Sequence, residues 1–204
     1  MKYSQGDEQD WILSYFREHR GTFLDIGAND GVTLSNTRAL AHLGWRGVCV
    51  DASPTVHERL SSLYAGSEEV QTICVAVGAS NGRLTFHDSG SHLKKGDVAL
   101  LSTLVDAERE KWESAGEVYT TTEVECVTFP ELLSMCRFKT FDFISIDAEG
   151  MDLQILEQIQ LHDLGTDAVI VEVNERDPKP YIQHCGAHGL RYVRRNAENL
   201  FFAR

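Results

Sequence analysis

The sequence has no long hydrophobic run and few residues that interrupt regular structure. Its longest apolar stretches, such as residues 168–171, are far shorter than the ~20 residues that a membrane-spanning helix requires. The first ten residues are polar and acidic, without the apolar core of a signal peptide. Only four prolines occur in 204 residues, and no Pro/Gly/Ser-rich linker divides the chain. We therefore expect one cytoplasmic domain, residues 1–204, without a membrane segment.

Positive charge and paired cysteines are also scarce. The 19 Lys and Arg residues face 31 Asp and Glu residues, which gives a net charge of −12. Such a surplus repels phosphate backbones, so we expect no nucleic-acid partner. The five cysteines include no CxxC pair, and their odd number argues against a disulfide framework and a zinc ribbon. We interpret them as reduced core residues.

Along the first half of the chain, helix-like and strand-like spacings of apolar residues alternate. Helices are predicted over residues 11–19, 32–43 and 54–64, and strands over residues 22–26, 47–51 and 70–77. Strands that alternate with helices indicate a parallel sheet with helices on both faces. We interpret residues 1–21 as an N-terminal helical segment and residues 22–204 as an α/β core.

The second half departs from this alternation. The Asn81-Gly82 pair predicts a hairpin whose return strand covers residues 84–87. Residues 89–103 predict a long loop, either a solvated segment or a lid over a substrate. Further helices are predicted over residues 106–115, 130–136, 151–161 and 180–188, and strands over residues 118–128, 141–147, 168–173, 190–194 and 200–203. The short connection between the last two strands requires them to be antiparallel.

A strand followed by a glycine-containing turn supplies the first candidate site, at residues 23–31. Gly27 tolerates a positive φ and a close approach, Asn29 suits a left-handed conformation, and Gly31 permits tight packing where a helix begins. The spacing differs from the dinucleotide pattern GxGxxG, and Asp25 precedes it. A carboxylate there would repel a pyrophosphate but favour an ammonium or sulfonium group. The pattern therefore indicates a cationic cofactor.

A second carboxylate, Asp51, ends the next predicted strand, 20 residues after Gly31. In nucleotide-binding α/β folds this position accepts hydrogen bonds from both ribose hydroxyls. Asp51 is therefore our candidate ribose ligand. Its alternative role is to cap the following helix, although Ser53 is the better-placed cap.

Acidic residues also follow the predicted strand at 141–147, namely Asp147, Glu149 and Asp152, and Glu172 lies near the end of the next strand. The carboxyl ends of parallel strands form the ligand crevice of such sheets, so these acids should meet there. They could remove a proton from a hydroxyl group or hold a divalent metal ion. Alternatively, Asp147 and Glu149 could merely complement the positive end of the next helix.

Four segments together carry a family pattern: LDIGANDG at residues 24–31, VDASP at 50–54, VAVG at 75–78 followed by Asn81-Gly82, and DFISIDAEG at 142–150. In this order they resemble the FkbM-type methyltransferases, which use S-adenosylmethionine (SAM). Two positions differ from the common family pattern: Asp51, where glutamate is usual, and Ser145, where lysine is usual.

The resemblance implies a Rossmann-like class I methyltransferase with a seven-stranded, mostly parallel sheet, an antiparallel C-terminal strand and helices on both faces. It implies methyl transfer to a hydroxyl oxygen of a small molecule, sugar or glycan. From the position of the acids at the strand ends, and not from the resemblance, we assign catalysis to Asp147 and Glu149. The resemblance also implies a set of cofactor contacts: Asp25, Gly27, Asn29 and Gly31 around the methionine part, Asp51 on the ribose, and Ala76 and Val77 beside the adenine.

Two other functions remain open at the level of sequence. The strand, turn and helix followed by an acid are shared with nicotinamide-dependent oxidoreductases. A catalytically silent module that binds SAM or a partner protein is the second alternative, favoured by Ser145. The residues do not specify a metal, and residues 11–19 could form the interface of a homodimer.

Overall fold

The computed structural model describes residues 1–89, 91–92 and 97–204. The strands are β1 (Thr22–Ile26), β2 (Arg46–Asp51), β3 (Val70–Cys74), β4 (Ala76–Val77), β5 (Gly82–Asp88), β6 (Ser91–His92), β7 (Asp97–Val98), β8 (Thr120–Val127), β9 (Phe143–Ile146), β10 (Ala168–Glu172), β11 (Arg191–Arg195) and β12 (Asn199–Ala203). The helices are α1 (Glu8–Phe16), α2 (Arg38–His42), α3 (Pro54–Leu63), α4 (Asp106–Ser114), α5 (Phe129–Met135), α6 (Asp152–Leu156) and α7 (Lys179–Ala187).

Seven strands form the main sheet in the order β11-β12-β10-β9-β1-β2-β3. The pairs from β10 through β9, β1 and β2 to β3 are parallel. β12 runs antiparallel to both β10 and β11. The predicted sheet and the antiparallel C-terminal strand are therefore confirmed. The carboxyl ends of β1, β2, β3, β9 and β10 consequently lie along one edge.

Helices cover both faces of this sheet, as predicted. Side chains alternate along each strand, so that on β1 Phe23 packs with α1, α2 and α3 whereas Leu24 packs with α5, α6 and α7. The central strands β9 and β10 are buried along their whole length. The core therefore lies on both sides of the sheet, and polar groups reach solvent mainly at the strand ends.

The predicted hairpin at Asn81-Gly82 is wrong. β5 pairs antiparallel with β8, and β8 pairs parallel with β4, so β8 lies between the two strands that the hairpin would have joined. The Asn81 side chain accepts a hydrogen bond from the backbone N–H of Thr128 at 2.7 Å. This long-range contact holds the turn against the end of β8, and it overrides the local preference of the dipeptide.

Two predicted helices are much shorter in the structure. The helix predicted over residues 32–43 is reduced to α2, because the side chain of Asp30 accepts hydrogen bonds from the N–H groups of Val32 and Thr33 and holds them in a turn. The helix predicted over residues 151–161 is reduced to α6. In the predicted loop at residues 89–103, Gly90 and residues 93–96 lie outside the described residues, so the lid stays a prediction.

Four of the five cysteines are buried, as expected for core residues, and Cys74 is half-buried. Within the described ranges, the structure contains no helix with the length and apolar character needed to cross a bilayer.

Candidate active site

A cavity of about 600 Å³ follows the carboxyl ends of the strands, a volume within the ~300–1,000 Å³ range of small-molecule sites. Eight predicted site residues line it: Asp25, Gly27, Asn29, Asp51, Ala76, Val77, Asp147 and Glu149. The ninth, Gly31, faces helix α3 instead. A Cβ atom there would lie 2.7 Å from Leu60 Cδ1. The structure thus brings together almost all of the predicted residues and gives Gly31 a packing position.

The turn after β1 owes its shape to a backbone contact with the end of β9. Gly27 has a φ of +85°, and a Cβ atom built on it would lie 1.6 Å from the carbonyl oxygen of Asp147. The N–H groups of Gly27 and Ala28 both donate to the carbonyl of Val50 on β2. Asn29 has a φ of +49°, in the left-handed region that its sequence position suggested. Only glycine fits where β1, β2 and β9 converge.

Asp51 holds two neighbouring turns together. One carboxylate oxygen accepts from the N–H of Asn29 at 2.9 Å, and the other accepts from the N–H of Ser53 at 2.9 Å. Ser53, whose side chain accepts from the N–H of Val56, is the actual cap of α3. Burial raises the pKa of Asp51 to about 6, against these backbone donors. The carboxylate borders the cavity, and each oxygen has more than one acceptor position.

Asp25 lies on β1 and is only 4% exposed. Its carboxylate accepts a hydrogen bond from the Thr37 hydroxyl at 2.6 Å. Burial raises its pKa to about 6, although Thr37 opposes the shift. Beside it on β9, Ser145 accepts from the Asn36 amide at 3.1 Å. Where lysine is usual in the family pattern, this chain therefore has a neutral polar pair.

The acidic residues after β9 and β10 meet as expected. Carboxylate oxygens of Asp147, Asp152 and Glu172 all lie within 4.8 Å of one another. Asp152 is fully buried, and it accepts hydrogen bonds from the N–H groups of Ala148 at 2.7 Å and Gly150 at 3.1 Å. It therefore shapes the turn that carries Glu149, whose φ is +44°. Asp147 opens into the cavity.

Arg176 supplies positive charge to this group. Its Nη1 atom lies 3.8 Å from Asp152 Oδ2 and 3.9 Å from Glu172 Oε2, and its Nη2 atom binds Glu108 on α4. A divalent ion that used the same two oxygens would face the guanidinium at close range. Arg176 already places positive charge beside these two oxygens, and we assign the neutralising charge to it.

Mutual repulsion perturbs the acids of this cluster. Burial and the charge of Asp152 raise the pKa of Asp147 to about 8. Burial and the charge of Asp147 raise the pKa of Glu172 to about 11, and burial and Asp147 likewise raise the pKa of Glu149 well above its ordinary value. At neutral pH the cluster therefore retains protons.

Several contributors were not found from the sequence. Arg176 and Thr37 carried no motif, and only the spacing of Arg176 four residues after Glu172 hints at an ion pair. Thr103, whose hydroxyl donates to the carbonyl of Glu149 at 2.7 Å, ends the predicted loop. These contacts join distant parts of the chain, so local patterns could not reveal them.

Three solved structures share the fold of this chain. The precorrin-6y C5,15-methyltransferase of Geobacter metallireducens GS-15 matches with a TM-score of 0.53, 10% identity, and coverage of 100% of this chain and 92% of that chain. The precorrin 8w decarboxylase of Methanobacterium thermoautotrophicum matches with a TM-score of 0.52, 14% identity, and coverage of 100% and 92%. Monomeric WbdD matches with a TM-score of 0.52 and 13% identity over 98% of this chain, which spans 41% of WbdD.

At these identities the structural likeness establishes the fold, which is that of class I SAM-dependent methyltransferases. Comparison with curated protein sequences finds no match. The model of the methyltransferase FkbM domain matches residues 25–192. The chain therefore belongs to the FkbM methyltransferase family, and it is a SAM-dependent methyltransferase. This identification favours methyl transfer over the nicotinamide-dependent alternative.

Gly27 and Gly44 provide a matched test of the contact between β1 and β9. Both have a φ of +85°, but a Cβ atom at Gly44 would meet nothing within 4 Å. We expect Gly44→Ala to lower the free energy of unfolding by about 1–2 kcal/mol through backbone strain alone. Gly27→Ala should lower it by at least about 3 kcal/mol more, or abolish folding. Urea denaturation measures both, and equal losses would contradict the proposed contact.

The raised pKa values also predict how stability depends on pH. Asp147, with a pKa of about 8, binds a proton more tightly in the folded chain than in the unfolded chain. Its contribution to stability is complete below an unfolded pKa of ~4 and is lost as the pH rises through 8. We therefore expect the free energy of unfolding to fall between pH 6 and pH 8.5, by less than a fully buried acid would give, because the Asp147 side chain is exposed. Asp147→Asn should reduce this fall, and parallel curves for the two proteins would refute the assignment.

Proposed function

We propose that the chain transfers a methyl group from SAM to a hydroxyl oxygen of a small molecule or carbohydrate. The observation that carries this proposal is the distribution of carboxylates along one cavity. Asp51 and Asp25 lie at the ends of β2 and β1, and Asp147 lies at the end of β9. The cavity thus has Asp51, Ala76 and Val77 on one side of β1 and Asp147, Glu149 and Glu172 on the other.

We assign the part of the cavity near Asp51 and Ala76 to the cofactor, because its residues suit a cationic nucleoside. Asp51 would bind the ribose hydroxyls, Ala76 and Val77 would border the adenine, and Asp25, Gly27 and Asn29 would surround the methionine part. Phe86 and Leu101 add apolar lining. When bound, SAM supplies an electrophilic methyl group and a positive charge that suits Asp25 and Asp51.

Asp147 is the proposed base for the acceptor. Its carboxylate faces the cavity and would accept the proton of the acceptor hydroxyl as the oxygen becomes nucleophilic. Glu149 borders the same space, and burial and the charge of Asp147 raise its pKa well above its ordinary value, which favours its protonated form. Glu149 would therefore share the proton rather than add a second charge. Asp152, bonded to the backbone on both oxygens, orients this turn.

Substitution of the two acids should separate binding from chemistry. We expect Asp51→Asn to weaken SAM binding at least tenfold in isothermal titration, because the amide replaces one acceptor oxygen with a donor. Asp147→Asn should leave that affinity nearly unchanged and lower turnover by ~10² to 10⁴. Asp10→Asn, on the exposed side of α1, serves as the control. Absence of binding by SAM and by S-adenosylhomocysteine would overturn the proposed function, and the reverse order of effects would reassign the roles.

The pKa of Asp147 sets the expected pH dependence of turnover. With a pKa of about 8, the basic form increases about fivefold from pH 7 to pH 8 and then levels off. We expect kcat/KM, which reports ionisation in the free enzyme, to follow this rise with a hydroxyl acceptor identified from labelled-SAM assays. A pH-independent kcat/KM between pH 6.5 and pH 8.5 would show that Asp147 does not remove the proton.

The remaining proposals concern the cellular compartment of the protein and the kind of molecule that it methylates. Five free thiols support a reducing compartment, and we propose the cytoplasm. The net charge of −12 supports a small acceptor rather than a nucleic acid.

A further inference from the structure

One wall of the cavity lies outside the region that matches the family. Gln5, Arg195, Ala197 and Glu198 line the cavity, whereas the family model covers residues 25–192. In the sheet order, β12 lies next to β10 and on the opposite side of β1 from β2. This wall therefore lies at the end of the cavity that is furthest from Asp51 and Ala76. We call it the acceptor end, because the methyl acceptor would bind there.

The wall is built by contacts between the two ends of the chain. The Gln5 amide donates to Glu198 Oε1 at 2.8 Å. The carbonyl of Glu198 accepts from the N–H groups of Val173 at 2.7 Å and Asn174 at 3.0 Å, which fixes its backbone beside the end of β10. On the other side of Gln5, Ser4 forms a parallel bridge with Leu34.

A buried carboxylate holds the N-terminal segment in this position. Glu8 is 2% exposed, and it accepts from the N–H of Gly6 at 2.8 Å and from the Asn199 amide at 3.2 Å. It also accepts from the amide of Asn196. Gln5 is therefore presented to the cavity by a fixed segment, although the side chain itself is exposed.

The described lining of the cavity is strongly acidic. Its carboxylates number seven, Asp25, Asp51, Asp147, Glu149, Glu172, Glu175 and Glu198, against two basic side chains, Lys111 and Arg195. Lys111 lies 3.8 Å from Glu108, and the guanidinium of Arg195 donates to the carbonyl of Asn174. Although Asp147 and Glu172 hold protons near neutral pH, Glu175 and Glu198 remain at this end of the cavity and disfavour the entry of a phosphate or a carboxylate.

We propose that Gln5 and Glu198 form the subsite that selects the acceptor, and that the acceptor is a polyhydroxylated compound without negative charge. A carboxylate beside an amide offers oxygens to hydroxyl or ammonium donors, and the amide also offers N–H groups. The inference rests on the proposed methyl transfer, because it assigns the β10–β12 end of the cavity to the acceptor.

Four matched sugars test this subsite by NMR titration of the protein with and without S-adenosylhomocysteine: methyl glucoside, glucosamine, glucose 6-phosphate and glucuronate. We expect methyl glucoside and glucosamine to bind at least tenfold more tightly than the two anions. Glu198→Gln keeps the shape of the side chain but removes its charge. It should weaken the binding of glucosamine at least fivefold and the binding of methyl glucoside by less. Gln5→Met should weaken both. Glu58→Gln, on exposed α3, is the matched control and should change neither.

The outcomes separate this inference from the proposed function. Equal or tighter binding of the anions, unchanged affinities in both variants, or no binding by any of the four sugars would overturn the subsite. If the same preparation still binds SAM in isothermal titration, the methyltransferase site stands and only the acceptor assignment falls. Melting curves within a few degrees of the unsubstituted protein show that a lost affinity is not lost folding.

Discussion

Repulsion among carboxylates at one edge of the sheet is the constraint on which this site depends. Parallel strands direct their ends to the same edge, so the acids that follow β1, β2, β9 and β10 gather there. Each is accommodated differently. Asp51 and Asp152 accept backbone N–H groups, Asp25 accepts the Thr37 hydroxyl, and Arg176 places a guanidinium beside Asp152 and Glu172. The negative charge left after these contacts faces the cavity, where a cationic donor would complete the balance.

The same charge links the fold to its chemistry. A carboxylic acid that is kept protonated by its neighbours costs the folded chain little, whereas its ionised form is the one that accepts a proton from an acceptor. Asp147 can adopt either form near neutral pH, because it opens into the cavity while Asp152 lies beside it. If Asp147 is the base that we propose, the site gives up some stability for a base with a pKa near neutral pH, as functional sites commonly do.

Local sequence patterns predicted the elements that depend on local chemistry. β1 was placed within its true bounds, Ser53 was identified as the better cap of α3, and Asp51 was placed at the cavity. Prediction failed where distant segments decide the outcome. β8 lies between β4 and β5, although the Asn81-Gly82 pair predicts a hairpin that would join these two strands. Arg176 forms ion pairs with residues of three different elements, and no sequence motif predicts these contacts. Gln5 and Glu198 meet across almost the whole chain, a pairing that no spacing rule encodes.

The contact between Gly27 and the Asp147 carbonyl also has an evolutionary consequence. It sets the separation of the turn after β1 and the proposed base by main-chain atoms alone. Residues on the wall formed by β10, β12 and the N-terminal segment can then change without altering that separation. Such an arrangement lets a lineage exchange one acceptor for another while the geometry between donor and base is inherited intact.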